Sequence, residues 1–230
     1  MTHVTRATPS TRRAVLAGAV DSALEGRRLL THPFYQRWEA GELSPAELAE
    51  YAVHYRAFEA VLPEVLGAVV DQLMSEAEFD AAELVARNLA DELDHPAPHL
   101  ALFDAFAGAL PIAPVATGPG PAADELAETY RELARRSPVA AIAGLAAYET
   151  QAAAVATTKG DGLRRWYGMD AAGTRFWDVH SSMDADHGDW AVDALALLGA
   201  DADEVAACAR LAADAWWALL DERQAEAVAA

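Results

Sequence analysis

The stretch His180-Ser-Ser-Met-Asp184-Ala-Asp-His187 restricts the possible folds of this chain more than any other. A helix advances about 100° per residue, so positions i, i+4 and i+7 fall within roughly 60° of one another. Two imidazoles and a carboxylate then share one narrow stripe, which is how a helical bundle presents a metal site to its interior. The flanks are apolar enough to be core: Phe176 and Trp177 precede the stripe, and Trp190, Ala191, Ala194 and Leu195 follow it. Polar groups buried there need partners. Taken alone, the stripe also reads as a solvated polar face that carries two stray histidines.

Strand signals are missing, with little alternation and no hairpin dipeptide between apolar runs. Helical periodicity fills the chain instead, at 13–30, 33–40, 45–73, 75–94, 99–110, 122–136, 138–159, 172–198 and 202–227. Ser44-Pro-Ala-Glu47 is a capping box with proline at the first helical position. Pro111, Pro114, Gly118, Pro119, Gly120 and Pro121 form one linker, 111–121, with helical pattern on both sides. The expectation is an all-α bundle of seven or eight helices: a flexible segment 1–12, then one domain, 13–230, that contains the linker.

Thirty-six acidic residues against seventeen basic give a formal charge of −19. Nucleic acid and anionic membrane surfaces both call for basic patches, so neither is an expected partner. The single cysteine, Cys208, excludes an internal disulfide and a cysteine zinc site. No uninterrupted run of about 18 apolar residues reads as a membrane span. Arg12 and Arg13 before 14–20 weakly imitate a signal peptide, but Asp21, Glu25, Arg27 and Arg28 follow at once. The reading is a cytoplasmic protein.

Other residues extend the stripe. Glu92 and His99 have the two-turn spacing of His180 and His187, although Pro96 and Pro98 between them leave a shared face unforced. Glu149 stands among alanines, either exposed or deliberately buried. Together Glu92, His99, Glu149, His180, Asp184 and His187 offer three imidazoles and three carboxylates, a sulfur-free set that suits iron or manganese. Glu59 and Glu64 are further ligands or ordinary surface. His95 belongs to a turn, and Asp178 and Asp186 face water or outer partners. Leu211, Trp216, Trp217 and Leu220 form an apolar stripe that is core or, less simply, the face of a homodimer.

The set Glu92-x6-His99, Glu149 and His180-x3-Asp184-x2-His187 resembles the haem-oxygenase-like dimetal oxidases, relatives of the TenA-like and PqqC-like bundles. Within that family the chain is similar to the CADD-type branch, whose members make para-aminobenzoate by consuming their own side chains. His32-Pro-Phe-Tyr35-Gln-Arg-Trp38, Tyr51-Ala-Val-His-Tyr55, Leu62-Pro63, Tyr148-Glu149-Thr-Gln and Lys159 carry the likeness. The resemblance implies two metal ions, Fe/Fe or Mn/Fe, with O2 as co-substrate and an external reductant. It also implies that Tyr35 is the sacrificed tyrosine, that Lys159 is the amino donor, and that Tyr55 and Tyr148 relay electrons. Lys159 is the only lysine of the chain, every other strong base being arginine, which cannot release a simple amine. Phe176 departs from the pattern, standing where the branch has another tyrosine.

Bland readings stand beside these. Lys159, followed by Gly160, suits a cation at a helix C-terminus, and Tyr35 and Tyr55 suit core aromatics with bonded hydroxyls. Two functional rivals also stand. One is a true catalyst of the same family acting on a small amine, amino acid or fatty acid. The other is a metal-free binding protein on the same scaffold.

Overall fold

The computed structural model describes residues 9–94, 96–114 and 118–229. They form nine α-helices: α1 (Pro9–Ala23), α2 (Pro33–Ala40), α3 (Pro45–Ser75), α4 (Phe79–Asp94), α5 (His99–Gly108), α6 (Pro121–Arg136), α7 (Pro138–Tyr167), α8 (Arg175–Leu197) and α9 (Ala202–Ala229). A 3-10 turn, Leu29–Thr31, precedes α2, and no strand occurs among the described residues. The all-α bundle is borne out, with the short α2 and α5 standing as helices of their own. Helix α1 starts at Pro9, inside the segment 1–12 expected to be flexible.

Local chemistry sets the helix boundaries. Ser44 Oγ accepts the Glu47 amide at 3.2 Å, and the Glu47 carboxylate accepts the Ser44 amide at 2.7 Å, closing the expected box at the start of α3. Ser137 caps α7 through the Ala140 amide at 3.0 Å, with Pro138 behind it. His32 Nδ1 accepts the Phe34 amide at 3.1 Å and opens α2, which Gly41 ends with φ 74°. In the linker, the Gly120 amide donates to His54 Nδ1 at 3.0 Å and the Ala122 amide to Glu222 Oε2 at 3.1 Å. These bonds tie the start of α6 to α3 and α9.

Helix α7 is the spine of the bundle, packing against α8, α9, α6 and α3. It is long and apolar enough, by length and composition, to cross a membrane, but most of its apolar window is buried inside the protein. The expectation that it ends at Lys159 is corrected. It runs eight residues further, through Gly160 and Gly162, to Tyr167. The reason is packing: a Cβ on Gly162 would meet Trp38 Cδ1 at 2.9 Å, so glycine there admits the indole. The Trp38 Nε1–H then donates to the Lys159 carbonyl at 3.2 Å. In the C-terminal stripe, Trp216 and Leu220 are core, Trp217 lies half-buried against His32, and Leu211 is exposed.

Close approach of α7 and α8 depends on Gly188, where a Cβ would meet Thr150 Cα at 3.1 Å and the Glu149 carbonyl at 3.2 Å. Those atoms are backbone and cannot rotate away. Gly188→Val is expected to destabilise the protein by about 1–3 kcal/mol, the usual cost of overpacking. Gly18→Ala, where a Cβ meets nothing within 4 Å, is expected to stabilise helix α1 by about 0.5–1 kcal/mol. Thermal melts of the two variants check both signs.

Candidate metal centre and tyrosine–lysine cluster

Four helices bring the six expected ligands into one interior: α4 supplies Glu92, α5 His99, α7 Glu149, and α8 His180, Asp184 and His187. Each is at most 5% exposed, so the solvated-face reading of the stripe and of Glu149 is overturned. Glu92, His99 and His180 form the tightest group, with one ligand atom from each within 4.8 Å of the others. Glu92 Oε2 lies 2.9 Å from His99 Nδ1, so the Pro96–Pro98 break leaves this pair together. The His99 and His180 rings are 4.5 Å apart. Asp184 and His187 pair beside them, Oδ1 to Nδ1, at 3.6 Å.

Glu149 and Glu59 complete this polar interior. Glu149 Oε1 accepts Asn88 Nδ2–H at 2.5 Å, while its Oε2 is buried without a partner. Glu59 on α3, also buried, leaves its Oε2 in the same condition. Sequence reasoning left Glu59 between ligand and surface, and the structure puts it inside. Glu64 is exposed and pairs with Arg131 at 3.2 Å. Asp178 pairs with Arg164, Asp186 is exposed, and His95 lies outside the described residues.

The electrostatics describe a site with too much negative charge. Burial, then neighbouring carboxylates, pushes Asp184 and Glu59 well above the ordinary carboxyl range, and burial raises Glu149. Burial also pushes Glu92 upward, but the His99 hydrogen bond and the three imidazoles outweigh it and hold Glu92 below its usual value. Burial brings His180 down to about 4. Four carboxyl groups therefore face one another with two buried oxygens unsatisfied. Buried polar atoms without partners are rare in native proteins. Divalent cations take N/O ligands of this kind and would neutralise the carboxylates, so the residues fit a metal site, with Glu92, His99 and His180 as its tightest group.

Next to this interior lies a second cluster. Tyr35, Tyr51, Tyr55 and Lys159 are each at most 1% exposed. Lys159 Nζ is 2.5 Å from the Tyr51 hydroxyl, which is 2.7 Å from the Tyr35 hydroxyl. The same nitrogen lies 4.4 Å from the Tyr35 ring centroid, 4.5 Å from that of Trp177 and 4.6 Å from that of Tyr55. Aromatic faces favour a cation, but desolvation opposes it and wins: burial pushes the Lys159 amine well below its ordinary value. The only carboxyl drawing it back up is Glu59, itself pushed toward the neutral form. Burial therefore favours the neutral amine, and Lys159 lies in mid-helix, so its reading as a cation at a helix terminus is overturned. Tyr55 and Tyr148 share a short hydroxyl–hydroxyl contact. Burial raises all four tyrosines, so each keeps its proton.

Three residues here escaped sequence reasoning. Tyr51 was part of a matched block without a role, although Tyr51, Tyr55 and Glu59 repeat every four residues on one face of α3. Asn88 precedes Glu92 by one turn and holds Glu149. Asp91 accepts from His187 Nε2 at 3.0 Å, a contact across sequence that no local spacing announces. Phe176 packs with its ring 4.1 Å from that of His180 and offers no hydroxyl. Cys208 is buried in α9, and the charged groups acting on it are Arg136 and Glu204 rather than the site.

Comparison with known proteins agrees with this geometry. Residues 49–217 match a family described as iron-containing redox enzyme. The 4-aminobenzoate synthase of Nitrosomonas europaea is 33% identical over 216 residues, which cover 88% of each chain. That of Chlamydia pneumoniae is 30% identical over 176 residues, 73% of this chain and 75% of its own. Among solved structures, a TenA homolog from Pseudomonas syringae pv. tomato superposes with a TM-score of 0.79 at 15% identity, over 95% of this chain and 96% of that one. A CADD-like protein of unknown function from Nostoc punctiforme gives a TM-score of 0.70 at 18% identity, over 91% and 98%. The solved structures share the fold.

The neutral amine sets a pH dependence. An unfolded lysine keeps its proton to about pH 10, whereas the buried Lys159 has released it at lower pH. Folding in that interval releases a proton, so this group's stability cost falls as pH rises toward the unfolded value. Lys159→Met is expected to melt at least about 2–4 °C above the parent near neutrality, the shift of 1 kcal/mol in a chain of this size. The gap should close as pH approaches about 10. A variant less stable than the parent at neutral pH would show that the buried lysine is charged and paired.

Proposed function

The chain belongs to the family of iron-containing redox enzymes, and we propose that it is a non-haem dimetal oxygenase that makes para-aminobenzoate from its own Tyr35, with Lys159 as amino donor. The observation that carries this reading is the Lys159 nitrogen 4.4 Å over the Tyr35 ring. The names of the relatives at 33% and 30% identity support the product. Glu92, His99, Glu149, His180, Asp184 and His187 would hold an Fe/Fe or Mn/Fe pair, which with O2 and an external reductant would supply the oxidising capacity.

The side chains around the pair do the positioning. Para-aminobenzoate differs from a tyrosine side chain in two places: nitrogen replaces the ring hydroxyl, and the β-carbon has become a carboxyl group. The ring C–O bond, the Tyr35 Cα–Cβ bond and the Lys159 Cε–Nζ bond therefore break and a ring C–N bond forms. The ring oxygen leaves as water, the lysine carbon is oxidised and hydrolysed to an aldehyde, and O2 is the oxidant. Tyr51 bonds both Lys159 Nζ and the Tyr35 hydroxyl, which holds the amine at the hydroxyl-bearing end of the ring. The amine needs a lone pair to attack carbon, and burial favours the neutral form. Trp38, Trp177, Tyr55 and Tyr51 wall the nitrogen off from water.

Tyr148 and Tyr55 are the relay between the two clusters. Their hydroxyls touch, Tyr148 feels the charge of Asp184, and the Tyr55 ring lies 5.5 Å from that of Tyr51. With phenylalanine at position 176, this pair takes over the link that a tyrosine there would give.

One reaction tests the reading: the protein is loaded with ferrous iron, with or without manganese, reduced and exposed to air. The expected result is at most one para-aminobenzoate per chain, with mass loss at Tyr35 and Lys159. Tyr35→Phe and Lys159→Arg should each abolish product at unchanged metal content. Many products per chain at unchanged protein mass, or equal product from either variant, would point to a catalyst with an external substrate.

A further inference from the structure

Asp91 touches none of the six expected ligand atoms except through one imidazole, and nothing in the reaction above uses it. The two α8 histidines present opposite nitrogens. His180 Nδ1 lies 2.9 Å from the Phe176 carbonyl. A carbonyl only accepts, so Nδ1 carries the proton and Nε2 is left bare. His187 is reversed: Nε2 lies 3.0 Å from Asp91 Oδ2, while Nδ1 faces Asp184 Oδ1 at 3.6 Å. A carboxylate also only accepts, so Nε2 carries the proton here and Nδ1 is the atom turned inward.

We infer that Asp91 is a positioning residue which selects the His187 tautomer and aims Nδ1 at one metal position. The inference rests on the dimetal reading. A metal-bound imidazole needs its other N–H held, most often by a carboxylate or a carbonyl. His180 uses a carbonyl of its own helix, fixed by the backbone. His187 uses a side chain from α4, one residue before Glu92, so one helix positions both a direct ligand and the orienter of another. Trp190 closes the second side of the ring, with centroids 5.4 Å apart and planes inclined by 37°. The Asp91 side chain is 20% exposed. Its carboxylate therefore keeps part of its hydration, and the bond to His187 costs less than a fully buried ion pair would.

Anaerobic titration of the full chain with ferrous iron tests this, read by calorimetry on the parent, Asp91→Asn and Asp91→Ala. Asparagine keeps an oxygen that accepts from Nε2–H, whereas alanine removes it. The parent is expected to bind two ions per chain. Alanine should weaken one of the two by about 10–100-fold, the usual effect of losing such a partner. Asparagine should restore most of that loss, and the metal-free melting temperatures of all three should agree. Two ions bound as tightly by Asp91→Ala as by the parent would overturn the assignment. So would asparagine as weak as alanine, which would make charge, not orientation, the contribution of Asp91. A parent that binds no ferrous iron would overturn the dimetal reading itself, and this inference with it.

Discussion

Four carboxyl groups, Glu59, Glu92, Glu149 and Asp184, share one buried interior with three imidazoles, and the charge they would carry is the constraint that the surrounding helices must meet. Burying an ionised carboxylate without a partner is costly enough that the group takes up a proton instead. The directions of three of these groups, all upward and all with burial as the largest cause, record that cost. The two unsatisfied oxygens, on Glu149 and Glu59, record it a second time. Divalent ions held there would relieve both at once, a role that packing alone does not give the cluster. A bundle that gained only stability here would do as well with leucines.

Helix α7 turns that cluster into a device with two parts. Glu149 and Lys159 are ten residues apart on one continuous helix, which separates them by about 15 Å along its axis. Had α7 ended at Lys159, the amine would sit on a frayed terminus beside water and keep its proton. Continuation through Gly160 and Gly162, with Trp38 packed on the second glycine, instead buries the amine among aromatic rings. The packing that extends the helix is therefore also what favours the uncharged form of the amine. In the same way Gly188 lets α8 approach the backbone of Glu149 closely enough for ligands from both helices to meet.

Most of the candidate metal site is legible because it is written in helical spacing. His180, Asp184 and His187 follow one turn and then two, and such periodicity survives any tertiary arrangement. Glu92 and His99 were readable as a pair despite the prolines, because the break falls between two helices rather than within one. What escaped was of a different physical kind. Asp91, Asn88 and Tyr51 matter through contacts made across the bundle, to His187, Glu149 and Lys159. Their local spacing puts Tyr51 in line with Tyr55 and Glu59, and Asn88 one turn before Glu92, but does not reveal the partner that each one meets. The end of α7 differs for the converse reason: a glycine directly after a lysine is a sound local stop signal, and tertiary packing of one indole on Gly162 overrides it.

Because Lys159 is the only lysine in the chain, a lysine label reports on that position without mutagenesis. Protein grown with lysine carrying nitrogen-15 at the side-chain amine, loaded with iron, reduced and exposed to air, tests the central claim most directly. The account predicts para-aminobenzoate whose amino nitrogen carries the label, with one lysine lost from each chain that reacts. Unlabelled para-aminobenzoate, or labelled protein that stays intact while product accumulates, would contradict it.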